Sequence, residues 1–84
     1  MAAPIIQKGT ATLNANASSV AVTFGTAFPT STVPVVVSHC QENKNLGNEW
    51  AHTISTTGFT HQVETVDATY SRTIGYIAFG YAGS

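Results

Sequence analysis

The sequence predicts an all-β domain of six short strands, a small sandwich or barrel, and three observations carry that reading. Apolar and polar residues alternate with period two through several short runs, as in VAVTF at residues 20–24. Clusters of Gly, Pro, Asn and Ser separate those runs. No stretch repeats apolar residues at the 3.6-residue helical period between caps.

Residues 1–7, with Pro4 and two isoleucines, read as an extended lead-in to a single domain spanning residues 8–84. Lys8 to Leu13 alternates as a first strand, and NANASS at residues 14–19 is a polar loop of turn formers. Val20 to Phe24 places Val20, Val22 and Phe24 on one face of a second strand. Pro29 and Pro34 exclude residues 25–34 from the interior of a ladder, and Pro34 introduces a third strand, VVVSHCQ, apolar on both faces, in which Cys40 reads as a small buried hydrophobe. Residues 42–48 form a polar loop. Glu49–Ser55 and Phe59–Thr65 are expected to pair as a hairpin around Thr57 and Gly58, with Gly58 supplying a positive φ. That register sets Thr56 against Phe59, Ile54 against His61, His52 against Val63 and Trp50 against Thr65. The closing run, SRTIGYIAFGYA, is β-branched, aromatic and almost uncharged, which predicts a strand covered on both faces. If strands alternate in direction, loops 14–19, 42–48 and 66–71 share one end, and this polar, Asn-rich end is the expected binding surface.

Composition adds a constraint on assembly. Charged residues are 8% of the 84, against about a quarter in ordinary soluble domains, while 43% are hydrophobic. So little charge does not solvate a full monomer surface, and a domain this small gains from partner subunits. A single cysteine excludes an intrachain disulfide, and no motif for a cofactor or structural metal is present. Lys8, Lys44 and Arg72 are scattered at a net charge of −1, which argues against nucleic acid and against anionic membrane surfaces. Residues 1–8 lack the basic start and apolar stretch of a signal peptide, and no run of about 20 apolar residues offers membrane insertion.

The order KGT (8–10), VAVTFGTAFP (20–29), VPVVVSHCQ (33–41), STTGFT (55–60) and YIAFGY (76–81) resembles the H-type lectin domain and the related receptor-binding domain at the C-terminal tips of bacteriophage tail fibres. The resemblance covers roughly residues 8–81. It implies a six-stranded antiparallel β-sandwich that assembles as a homotrimer and binds cell-surface carbohydrate at its loop end, with single trimers and trimers stacked as a hexamer both open. It also implies a place in the virion at the fibre tip, or outside the cell. Tyr76 stands where the family commonly has Trp, and the Trp-His pair that holds N-acetylgalactosamine in animal lectins has no counterpart near Val66 and Asp67. The sugar is therefore not specified.

Sugar recognition needs an aromatic face for the ring and planar polar groups for the hydroxyls, and the loop end offers Trp50, Tyr70, Asp67, Arg72, Asn45 and Asn48. Each has a second reading. Trp50 also suits a core or subunit-interface anchor, Tyr70 a packing role at the sheet rim, and Asp67 with Arg72 a structural ion pair. His52 and His61, placed on one hairpin face by the expected register, with His39 on the preceding strand, form the weaker case for a metal on a symmetry axis. Catalysis has little support: Ser38, His39 and Cys40 are sequence neighbours on a strand and point to opposite faces. A Glu64–Asp67 carboxylate pair would lack the concavity needed to raise one pKa. The reading is a non-enzymatic, lectin-like receptor-recognition domain. Its alternatives are a structural trimerisation or capping module at a fibre end and a head that binds an outer-membrane protein.

Overall fold

The computed structural model describes residues 4–29, 33–43 and 45–81. Six strands are present in these residues: β1 Pro4–Leu13, β2 Ser19–Thr23, β3 Val35–Cys40, β4 Glu49–His52, β5 Gly58–Val63 and β6 Arg72–Tyr81. They form two three-stranded antiparallel sheets, ordered β1-β6-β3 and β2-β5-β4. The all-β, six-stranded, antiparallel expectation is met, and the sheets face each other across one apolar layer. β1 begins at Pro4, so residues 4–7, expected as a lead-in, are sheet: Pro4 lies opposite Tyr81 and Gln7 opposite Ala78.

The interior follows the alternation. Leu13, Cys40, Leu46, Val63 and Ile74 fill one end. Val22, Phe24, Phe28, Phe59 and Ala78 fill the other, with Tyr76 packed against Phe24 and Phe59 at ring separations of 6.1 and 5.3 Å. Between them His61 and Ser38 form a polar layer, because each occupies the strand position between members of the two clusters. Leu46 is the unexpected member: it belongs to a loop read as polar, yet it is fully buried, and its carbonyl accepts the Thr65 N–H at 2.9 Å.

Two further sequence expectations fail. In the β4–β5 hairpin the pairs are Glu49–Val63, Trp50–Gln62, Ala51–His61 and His52–Thr60. This register is three residues from the expected one, and an odd shift exchanges the faces. The loop is Thr53–Thr57, turned by Thr53 at φ +52° and closed by Ser55, whose N–H donates to Gly58 O at 2.9 Å. Gly58 is a strand residue: a Cβ there would collide with the carbonyl oxygen of Val22, so glycine permits close strand approach and no positive φ is involved. The second failure is β6. It is the central strand of its sheet, but only its inner face is covered in the single chain, and Ile77, Phe79 and Tyr81 are exposed.

The molecule is elongated, 47 × 19 × 19 Å, because β1 and β6 are ten residues long whereas β2 to β5 have four to six. The loops joining β1–β2, β3–β4 and β5–β6 meet at one pole, as strand alternation requires. The Asn16 N–H donates to Asp67 O at 2.6 Å, Glu64 N–H to Asn48 O at 2.9 Å, and Gln41 N–H to Thr73 O at 2.9 Å. The Pro4 and Tyr81 ends of β1 and β6 lie together at the opposite pole.

Candidate functional site

The loop pole is built on Asp67. Its Oδ1 accepts the backbone N–H groups of Thr69 at 3.0 Å and Tyr70 at 3.1 Å, and its Oδ2 accepts Arg72 Nε–H at 2.6 Å. These donors favour the ionised carboxylate and hold its pKa down to about 2, the Thr69 and Tyr70 amides first and the Arg72 side chain next. The same hydrogen bond, donated by Arg72 to Asp67, raises the pKa of Arg72. Asp67 is buried, so the short β5–β6 loop winds around a charge that every near donor satisfies.

That anchor fixes Arg72, and Arg72 fixes an aromatic. Its Cζ lies 5.5 Å from the centroid of the Tyr70 ring, in cation–π range, while Tyr70 remains 63% exposed. Glu42 from the β3–β4 loop accepts the Thr73 N–H at 2.6 Å through Oε1 and stands 3.8 Å from Arg72 Nη1 through Oε2. The pole therefore presents an accessible ring face beside a guanidinium and a carboxylate. This arrangement offers C–H stacking and paired hydrogen bonds to a polyhydroxylated ligand.

Of the residues expected at this site, Asp67, Tyr70 and Arg72 are brought together, and Glu42 joins them without having been singled out. Asn45 and Asn48 lie in the neighbouring loop. The Asn45 side-chain oxygen accepts the Gly47 N–H at 2.8 Å, setting the turn in which Gly47 takes φ +73°. Asn48 is exposed and its N–H faces Glu64 Oε1 at 3.4 Å. Trp50 is 45% exposed on the outer face of β2-β5-β4, in the row with Gln62 and Ser19.

The histidines separate onto three surfaces. His61 points into the interior, His52 to the outer face of its own sheet, and His39 to the outer face of the other. Among the described residues no group of three His, Cys, Asp or Glu side chains could hold a metal ion.

His61 instead completes a buried chain that sequence reasoning missed. Glu49 Oε1 accepts the Cys40 N–H at 2.8 Å and the His61 Nε2–H at 3.0 Å, and His61 Nδ1 shares a hydrogen bond of 2.6 Å with Ser38 Oγ. The residue types are those of a hydrolytic triad, but His61 is 0% exposed and no reacting atom reaches it. The trio satisfies its own polar atoms, and among the described residues no buried side-chain nitrogen or oxygen lacks a partner.

Residues 4–81 match the family described as "Putative tail fiber protein gp53-like, C-terminal". Among solved structures, the chain is similar to recombinant discoidin II of Dictyostelium discoideum, with a TM-score of 0.64 and 24% sequence identity. That similarity covers 93% of this chain and 37% of the discoidin chain, so the chain spans well under half the length of that neighbour. No curated protein matches the sequence. The discoidin likeness supports the two-sheet fold, and the family match extends over all six strands from Pro4 to Tyr81. The chain belongs to the gp53-like tail fibre C-terminal family.

Proposed function

We propose that this domain is a non-enzymatic, lectin-like receptor-binding tip of a phage tail fibre, which attaches the virion to host cell-surface glycan as a homotrimer. The observation that carries the reading is the exposed Tyr70 ring braced by Arg72, itself anchored on buried Asp67. A platform fixed before the ligand arrives loses little conformational entropy on binding. In this reading Asn45 and Asn48, from the β3–β4 loop, supply further amide groups.

Trimerisation draws support from the outer face of β1-β6-β3. Ile6, Phe79 and Val35 form one row across its three strands, all exposed in the single chain. Shallow glycan sites bind weakly, and three copies on one fibre raise the effective affinity.

The test is Tyr70→Ala in the assembled fibre. The expected result is loss of about tenfold or more in attachment to host cells, in line with the contribution of one stacked aromatic, with fibre assembly and thermal midpoint unchanged. Normal attachment by that variant, together with a blank glycan array for the native domain, would overturn the reading. A purely structural capping module predicts that result.

A further inference from the structure

β6 runs through the middle of the β1-β6-β3 sheet, and its outward residues are Thr73, Gly75, Ile77, Phe79 and Tyr81. Only Gly75 lacks a side chain, and the Gln41 side chain occupies the space above it. The register supplies the walls: Thr10 and His39 flank Gly75, and Lys8 and Val37 flank Ile77 in the next row. The result is a cleft of about 450 Å³, within the range of roughly 300–1,000 Å³ usual for small-molecule sites.

The lining has one electrostatic sign. It includes Lys8, which forms no ion pair among the described residues, and no carboxylate. The Gln41 side chain lies over Gly75, where a Cβ would collide with its amide. His39 Nδ1 lies 2.7 Å from the Cys40 carbonyl and donates to it, leaving Nε2 for another partner. Val37 and Ile77 provide an apolar wall. An ammonium, an amide and an imidazole beside two aliphatic side chains suit a ring with one C–H face and one anionic substituent.

We propose that this cleft binds a carboxylate-bearing monosaccharide, with Lys8 and Gln41 engaging the carboxylate and Val37 and Ile77 receiving the ring. Inorganic phosphate has no use for the apolar wall and leaves most of the volume unfilled, while a neutral sugar leaves Lys8 without a counter-charge. The inference rests on the glycan reading and adds a subsite apart from Tyr70. The cleft adjoins the row of Ile6, Phe79 and Val35, so chains packed through that row place it at their seam.

Ligand-observed NMR titration of the intact, assembled protein tests this, using glucuronate and N-acetylneuraminate against glucose, N-acetylgalactosamine and inorganic phosphate. The acidic sugars should bind more tightly than the neutral ones. Lys8→Ala should weaken them about tenfold, the scale of one charge-assisted hydrogen bond, while Lys8→Arg and Tyr70→Ala leave them bound. Lys8 is exposed on a strand, so its replacement leaves the core intact. Equal binding of acidic and neutral sugars, no response to Lys8→Ala or Gln41→Ala, or full displacement of glucuronate by equimolar phosphate would overturn the proposal. Failure of acidic sugars alone, with neutral glycan still bound at Tyr70, refutes this subsite and spares the receptor-binding reading. Failure of every sugar refutes both.

Discussion

Asp67 makes the loop pole sensitive to acid in a direction that its hydrogen bonds determine. Its pKa is about 2 in the folded chain against an ordinary 3.8, so as pH falls the unfolded chain takes up the proton first. The stability that Asp67 contributes is complete above about pH 4 and is lost between about pH 4 and pH 2. Thermal melting across that window should show a falling midpoint, and Asp67→Asn should flatten that part of the profile while lowering the midpoint at neutral pH. An unchanged slope in the variant would mean that another carboxylate carries the acid response. The Asp67–Arg72 pair was visible in the sequence because the partners lie five residues apart across a single loop. Ser38, Glu49 and His61 were not, because they meet only after β3, β4 and β5 are stacked.

Strand alternation was legible for all six elements, yet the β4–β5 register was not, and the reason lies in what the inner face requires. Trp50 reads in the sequence as a possible core or interface anchor, but Glu49 and Ala51 turn inward, where Glu49 meets His61 and the Cys40 N–H. A large aromatic is thereby sent to the outer face of the sheet. The turn that permits this uses Thr53 at positive φ, a conformation that a β-branched residue seldom adopts and that no sequence signal announces. Gly58 drew attention as a turn glycine although it serves β2. Gly58→Ala should therefore destabilise the domain by about 1–3 kcal/mol through overpacking against Val22, measured by denaturant unfolding. Stability equal to the native domain would show that the β2–β5 approach relaxes without cost.

Low charge pointed to assembly, and the fold places every exposed large apolar residue of its strands except Trp50 on the outer face of one sheet. If the row of Ile6, Phe79 and Val35 on that face is the seam, a single Ile6→Lys or Phe79→Lys substitution should convert the trimer to monomer with β-sheet circular dichroism retained, as read by light scattering after size exclusion. Both residues are exposed in the single chain, so neither change opens the core. A native domain that sediments as a monomer at micromolar concentration would remove the trimer from the proposal.

The pairing of Pro4 with Tyr81 also has a practical bearing. A tether attached at either of these residues emerges on the side away from Asp67, Tyr70 and Arg72. A surface, a label or a second protein fused there would hold every copy with its recognition pole facing outward, so immobilised arrays of this domain should present uniformly oriented sites whichever end carries the linker.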